Sequence, residues 1–223
     1  MASVLNDPKL DALLDRLHAQ SLAQERETAE FFQRRSRTAD ETWRGFDDAG
    51  HRFLADKLVA LDRDKAEFCY LLCRSLGARR VVECGTSFGV STLYLAAAVR
   101  DNGGGVVIGT EHEPAKAAAA RAHFAEAGLS EYVDLREGDL RETLKDVGGP
   151  VDFMLMDIWV EMARPALELV APRLRPGAIV VADNTTSVRG PYQAFFDYIA
   201  DPENGLRTMT LPFAGGLELT VKV

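Results

Sequence analysis

The stretch Val81-Val-Glu-Cys-Gly-Thr-Ser-Phe-Gly-Val-Ser91 decides the fold of this chain. Arg80-Val-Val-Glu-Cys84 is short and apolar, as buried strands are, and Gly85 and Gly89 mark a tight turn after it. The residues beyond Gly89 continue as an apolar helix that ends near Arg100. A strand, a glycine turn and a helix in succession indicate a β-α-β unit, the building block of parallel sheets.

The same alternation continues towards the carboxyl terminus. We predict four more strands, each separated from the next by a helical segment: Val106–Glu111, Tyr132–Arg136, Val151–Asp157 and Ala178–Asp183. A helix follows near 192–199, and then two strands, 206–211 and 217–223, are joined by a glycine-containing turn without a helix between them. That hairpin requires one late strand to run antiparallel. The predicted fold class is therefore α/β, with a seven-stranded, mostly parallel sheet covered by helices on both faces.

The first part of the chain has a different, purely helical pattern. Asp7-Pro8 is a helix start, and Leu10, Leu13, Leu14 and Leu17 then recur at helical spacing. A second helix is predicted to carry Phe46, Phe53, Leu54 and Leu58. We therefore divide the chain into a helical extension, residues 1–58, and an α/β domain, residues 59–223. The extension is expected to supply a lid over a binding site and contacts within a homodimer.

Composition narrows the classes of function. The 223 residues carry a formal net charge of −8, which disfavours phosphate backbones and anionic membranes as partners. The amino terminus lacks the basic and apolar segments of a secretory signal, and no apolar run has the length of a membrane span. Cys69, Cys73 and Cys84 are expected to be buried free thiols, with zinc or a disulfide less favoured. Together these features predict a cytosolic protein.

Polar residues follow consecutive predicted strands, where an open parallel sheet binds its ligands. Helix-start N–H groups near Ser87–Ser91 are suited to a carboxylate, and Glu111 could accept both hydroxyls of a ribose. Asp139 could accept a hydrogen bond from an adenine amino group, and Asp157 and Asp183-Asn184 end the next two strands. Each residue alone is more simply explained as a helix cap or a solvated turn residue. Their joint arrangement, one at each strand end, favours a binding site.

At these positions the sequence resembles the catechol and caffeoyl-CoA type O-methyltransferases, which use S-adenosylmethionine. The resemblance extends over about residues 60–223. Six segments carry it: 81–91, Gly109-Thr-Glu111, Glu137-Gly-Asp139, Met156-Asp-Ile-Trp159, 174–184 and Gly216-Leu-Glu218. It implies a Rossmann-like methyltransferase fold and the transfer of a methyl group to a hydroxyl of a small molecule.

The resemblance also implies roles for individual residues. S-adenosylmethionine would be bound by ten positions: Glu83, Gly85, Thr86, Ser87, Ser91, Glu111, His112, Asp139, Leu140 and Asp157. A divalent cation, Mg²⁺, would be held by Asp157, Asp183 and Asn184, whose oxygen donors suit a hard ion. Trp159 would form an aromatic wall beside the substrate.

Two departures leave the catalytic base unassigned. The family usually has a lysine base three residues after the first metal-binding aspartate, where this chain has Val160. The acid that grips a second catechol hydroxyl has no counterpart in Arg207-Thr-Met-Thr-Leu-Pro-Phe213. His18, His51 and His123 are predicted to lie on solvated helix faces. Lys65 is equally compatible with a surface position and with a position near the active site.

Two other functions remain open on sequence grounds. A dinucleotide-dependent oxidoreductase shares the strand, glycine turn and helix, as well as an acid that ends the second strand. However, Gly85-Thr-Ser-Phe-Gly89 does not follow the Gly-x-Gly-x-x-Gly pattern. The second alternative is a non-catalytic cofactor-binding protein, which Val160 makes credible.

Overall fold

The computed structural model describes residues 3–38, 48–186, 190 and 192–223. It contains eight α-helices over these residues: α1 (Pro8–Thr38), α2 (Asp48–Leu54), α3 (Arg63–Leu76), α4 (Val90–Asp101), α5 (Pro114–Ala127), α6 (Leu140–Thr143), α7 (Val160–Val170) and α8 (Gln193–Ala200). Phe46, predicted to lie in the second helix, is outside the described residues.

Seven strands form one sheet: β1 (Arg80–Cys84), β2 (Val106–Glu111), β3 (Val133–Glu137), β4 (Val151–Met156), β5 (Leu174–Asp183), β6 (Leu206–Leu211) and β7 (Leu217–Lys222). Their order across the sheet is β3-β2-β1-β4-β5-β7-β6. Strand β7 pairs antiparallel with both β5 and β6, and the pairings among β1 to β5 are parallel. The predicted sheet, including its antiparallel strand in a carboxyl-terminal hairpin, is confirmed.

The two faces of the sheet bury different side chains, because successive strand residues point in opposite directions. Val81 and Phe153 pack in a core with α3, α4 and α5, whereas Val82 and Met154 pack with α7 and α8 on the other face. The near-continuous apolar runs of β1 and β4 are thereby explained, since both faces of these strands are covered.

The first half of α1 belongs to this core. Leu10, Leu13, Leu14 and Leu17 are each at most 3% exposed and pack in the same cluster as α4 and α5. Arg16 of α1 adds an ion pair with Glu126 of α5, with 2.7 Å between the guanidinium and carboxylate atoms. The helical spacing of the leucines therefore predicted a buried face correctly.

The order of the strands creates the site. Strands β2 and β3 lie on one side of β1, whereas β4 and β5 lie on the other. The order in which strands are added to the sheet therefore reverses at the boundary between β1 and β4. Ligands of open parallel sheets bind outside the carboxyl ends of the strands at such a reversal. Among the described residues, no helix is both long and apolar enough to cross a membrane.

Candidate cofactor and acceptor site

A cavity of about 660 Å³ opens at the carboxyl ends of β1, β2, β4 and β5. Gly85, Ser87, Glu111, Asp157 and Asp183 contribute to its wall. A small recess lined by Thr86 and Ser91 adjoins it, and the two share Val59, Gly85, Ser87 and Asp157. Strand ends that are distant in sequence therefore meet around one space large enough for a cofactor and an acceptor.

The turn after β1 has no room for side chains at its glycines. Gly85 has a φ of 92°, and a Cβ atom there would lie 2.1 Å from the carbonyl oxygen of Asp157. Gly89 has a φ of 84°, and its Cβ would lie 2.6 Å from the Phe124 ring. Both values lie in the left-handed region that glycine adopts without strain. The glycines thus let the turn approach β4 and α5 closely.

Glu83 stabilises this turn through the hydrogen bonds of its carboxylate. Its carboxylate is fully buried and accepts hydrogen bonds from Thr86 Oγ1 at 2.9 Å, from Ser91 Oγ at 2.7 Å and from Thr92 Oγ1. Burial raises the Glu83 pKa, although the three hydroxyl donors oppose the rise. Glu83 lies beneath the cavity wall, so its contact with a cofactor stays a prediction.

Glu111 connects the ends of β1 and β2. Its Oε2 accepts a hydrogen bond from the Ser87 backbone N–H at 2.7 Å, and its Oε1 accepts one from the Glu113 N–H at 2.8 Å. Both oxygens retain a second lone pair, and the half-buried side chain lines the cavity. The exposed His112 beside it also lines the cavity. This part of the site can therefore present a carboxylate to the hydroxyls of a ribose.

Asp139 caps α6 and is also in the cavity wall. Its carboxylate accepts a hydrogen bond from the Arg141 backbone N–H at 2.8 Å and pairs with the Arg141 guanidinium. The hydrogen bond from the Arg141 side chain lowers the Asp139 pKa to about 2, so the group is ionised at neutral pH. Leu140 lines the same part of the cavity with a largely buried side chain. Asp139 can therefore cap α6 and also contribute to a binding site.

Asp157, Asp183 and Asn184 meet at the other half of the cavity. Burial raises the Asp157 pKa to about 8, and the neighbouring carboxyls of Asp183 and Glu83 add to the rise. Asp183 Oδ2 accepts a hydrogen bond from the Asn184 amide at 3.0 Å. Asn184 has a φ of 59°, in the left-handed region that asparagine tolerates better than most residues. The three predicted metal-binding residues are thus brought together.

Lys65 reaches the same place from α3. Its ammonium lies 2.8 Å from Asp183 Oδ1 and 2.8 Å from Asp62 Oδ2, with only 2% of the side chain exposed. Burial alone would lower the Lys65 pKa, but the contacts with Asp183 and Asp62 outweigh it and raise the pKa. Of the two interpretations of Lys65, the position beside the site is correct. The lysine offsets the negative charge of Asp183.

Residues of α2 and of the segment after it line this half of the cavity. His51 of α2 lies in the cavity wall, and its ring stacks on Trp159 with 4.3 Å between ring centroids and 23° between planes. Leu54, Ala55 and Val59 line the cavity beside it. Val160, three residues after Asp157, is a largely buried apolar residue of the wall. Imidazole and indole rings therefore border the space above Asp157.

Comparison with known proteins relates part of the chain to a family. Residues 82–185, which span the turn after β1 and the end of β5, match a family model described as a methyltransferase domain. The matched segment is a little under half of the chain. The expected Rossmann-like methyltransferase fold is confirmed by the sheet order and by the likeness to solved methyltransferase structures.

Proteins similar to this chain include a catechol O-methyltransferase from Mycobacterium tuberculosis. It is 32% identical over 133 residues, which are 59% of each chain. The chain thus spans about three fifths of the length of the curated relatives it matches. The cofactor-bound protein Rv0187 from MTB is 26% identical with a TM-score of 0.69, covering 82% of this chain and 93% of that one. The O-methyltransferase TomG from Streptomyces achromogenes, in complex with SAM, is 24% identical with a TM-score of 0.68, covering 78% and 86%.

The histidine predictions were partly wrong. His18 is buried, and its Nε2 lies 3.2 Å from the Tyr94 hydroxyl. His123 is partly buried, with Nδ1 2.9 Å from the Phe88 carbonyl oxygen. His51 is exposed as predicted but stacks in the cavity wall. The helical pattern shows which face of a segment is polar, but it does not show that a polar face is turned towards a cavity. The three cysteines are buried free thiols, as predicted.

Proposed function

We propose that this protein transfers a methyl group from S-adenosylmethionine to a hydroxyl of a small molecule. The observation that supports the proposal most is the single cavity into which Glu111, Asp157 and Asp183 open from successive strand ends. The catechol O-methyltransferase relative and the TomG structure with SAM agree with this reaction and cofactor. The proposed enzyme is cytosolic, in keeping with three free buried thiols.

The proposed cofactor position follows the β1 and β2 ends. The turn Gly85–Ser91 would receive the methionine part, with Thr86, Ser87 and Ser91 near its carboxylate and Glu83 bracing the turn through three hydroxyls. Glu111 would accept hydrogen bonds from the ribose hydroxyls beside His112. Asp139 and Leu140 would border the adenine. In this arrangement Asp157 and Trp159 would border the space for the reactive methyl group.

The chain's own part in the reaction is mainly binding and orientation. Methyl transfer is an in-line displacement at a carbon that the cofactor has already activated, so the protein must hold the acceptor oxygen in line and exclude water. Trp159, Met162 and Tyr192 supply an apolar and aromatic wall for the acceptor. The segment from α2 to Val59 covers that wall and acts as the proposed lid. We further propose that the helical extension contributes the contacts of a homodimer.

The residues at the β4 and β5 ends fit a divalent cation. Two carboxylates and an amide are the oxygen donors that Mg²⁺ prefers. Burial next to other carboxyls raises the Asp157 pKa to about 8, and a bound cation would favour the ionised form of that carboxyl. Asp157, Asp183 and Asn184 would hold the ion. When bound, it would lower the pKa of the acceptor hydroxyl.

Calorimetry tests the cofactor, and turnover tests the reaction. We expect S-adenosylhomocysteine to bind and NAD not to bind. Binding of NAD alone would instead favour a dinucleotide-dependent oxidoreductase. With a panel of phenols, Mg²⁺ and S-adenosylmethionine, we expect methylated product. Tight cofactor binding without any turnover would favour the non-catalytic alternative.

A further inference from the structure

Among the residues that the structure describes, the half of the cavity beside Asp157 and Trp159, where the acceptor is proposed to bind, has no lysine suited to take up the hydroxyl proton. Val160 is apolar and 7% exposed. Lys65 is held as an ammonium ion, because two carboxylates at 2.8 Å raise its pKa. The Tyr192 hydroxyl donates a hydrogen bond to the Asp183 carbonyl oxygen at 2.9 Å, and burial raises its pKa. None of these three groups is suited to accept a proton at neutral pH.

We infer that His51 accepts the proton of the acceptor hydroxyl during methyl transfer, an inference that rests on the proposed function. Its ring lies in the cavity wall and stacks on Trp159 at 4.3 Å. Trp159 follows Asp157 by two residues at the end of β4, so the stack holds the imidazole on the acceptor side of the cavity. Histidine is the side chain whose ordinary pKa lies closest to neutral pH.

Both acids and cations surround His51. Asp157 and Asp183 lie in the cavity wall at the β4 and β5 ends, and Glu111 lies at the β2 end. Lys116 of α5 and Arg141 line the adenosine side, and Arg52 follows His51 directly in α2. The exposed edge of His51 lets the proton leave to solvent.

The atoms of the step balance. The acceptor oxygen forms a bond to the methyl carbon as the bond from that carbon to sulfur breaks. The electron pair of the broken bond stays on sulfur, which becomes the neutral thioether of S-adenosylhomocysteine. The hydroxyl proton passes to an imidazole nitrogen of His51 and then to water. No oxidant, reductant or further reactant is required.

Two substitutions separate proton transfer from packing. His51→Gln removes the base, and His51→Phe removes it while keeping a ring that can stack on Trp159. With catechol as acceptor, we expect both to lower kcat/KM by about 10²- to 10⁴-fold. With 4-nitrocatechol, whose nitro group acidifies the hydroxyl, the loss should be about tenfold or less at a pH where the free acceptor is already ionised. The rise of kcat/KM with pH for catechol should also disappear.

A binding measurement gives an answer that does not depend on turnover. In the dead-end complex with S-adenosylhomocysteine, the absorbance of bound 4-nitrocatechol reports its ionisation. We expect the bound acceptor to ionise at a higher pH in His51→Gln than in the parent, because the imidazole no longer takes its proton.

The possible results distinguish a failure of this inference from a failure of the proposed function. Equal losses for the two acceptors, or an unchanged ionisation of bound 4-nitrocatechol, would show that His51 only packs against Trp159 and would overturn the inference. A parent protein that does not bind S-adenosylhomocysteine would overturn the proposed function instead. Calorimetry with S-adenosylhomocysteine should give the same affinity in the parent and in both His51 variants.

Discussion

The carboxylate of Glu111 both stabilises the turn after β1 and lines the cavity. One oxygen holds the Ser87 N–H and the other holds the Glu113 N–H, each at less than 3 Å. Each oxygen keeps a second lone pair, and the side chain lines the cavity where the ribose is proposed to bind. Glu111 can therefore hold the turn and still bind a ligand. The structural and the binding interpretations of the strand-end acids do not exclude each other.

Glu111→Ala should weaken the affinity for S-adenosylhomocysteine by about 1–3 kcal/mol, because hydrogen bonds to a charged group are lost. Glu111→Gln keeps one acceptor oxygen and the side-chain shape, so it should lose less. Calorimetry on both variants measures the difference. An affinity equal to that of the parent in Glu111→Ala would place the ribose elsewhere.

Lys65 is the cation that the structure already provides beside Asp183. Lys65→Met should lower the free energy of unfolding by about 3–5 kcal/mol, because a buried carboxylate loses its partner. If Asp183 also holds the proposed ion, Mg²⁺ should raise the Tm of Lys65→Met more than that of the parent. Thermal unfolding with and without Mg²⁺ measures both effects. An equal Mg²⁺ response in the two proteins would contradict the metal site.

At the scale of elements, α1 contacts α4 through the titratable side chain of His18, which lies against Tyr94. Burial lowers the pKa of His18 to about 4, and the ring lies against the Tyr94 hydroxyl. Between that value and about 6.5, the ordinary pKa, the unfolded chain binds a proton that the folded chain does not. Stability contributed by neutral His18 is therefore fully present above about pH 6.5 and is lost as the pH falls towards 4.

We expect the parent to lose about 1–3 kcal/mol of unfolding free energy from this group as the pH falls through that window. His18→Gln cannot titrate, so its stability should fall less over the same range. His123→Gln, a matched change at a partly buried histidine of α5 outside the contact of α1 with α4, should keep the slope of the parent. Urea unfolding at several pH values provides the comparison. The same slope in His18→Gln and the parent would contradict the assignment.

The elements themselves were largely predictable from local patterns. The strand β1, its glycine turn and α4 follow from residues adjacent in sequence, and so does the hairpin of β6 and β7. Boundaries were less well predicted: β3 begins at Val133 rather than Tyr132, and β5 begins at Leu174 rather than Ala178. Both shifts arise because pairing with neighbouring strands, not local composition, sets where a strand starts.

For the whole molecule, the site was predictable where the fold itself brings residues together. Parallel strands all end at one edge, so Glu111, Asp157 and Asp183 had to lie at that edge once the sheet was predicted. Lys65 and His51 come from helices outside the sheet, and their positions depend on how α2 and α3 pack across it. No periodicity within those helices encodes that packing, so the Lys65 ion pair and the His51–Trp159 stack required the structure.

The same packing makes the helical extension part of the folded core rather than a removable segment. Leu14 is fully buried among α4 and α5, whereas Leu22, eight residues further along α1, is 61% exposed. Leu14→Ala should therefore lower the free energy of unfolding by about 2–5 kcal/mol, since it leaves a cavity in a packed core. Leu22→Ala, the same change on the same helix, should alter it by about 0.5 kcal/mol or less. Urea unfolding of both variants decides the point. A small effect of Leu14→Ala would mean that α1 is not anchored on the α/β domain, and the proposed lid that carries His51 would then lack its support.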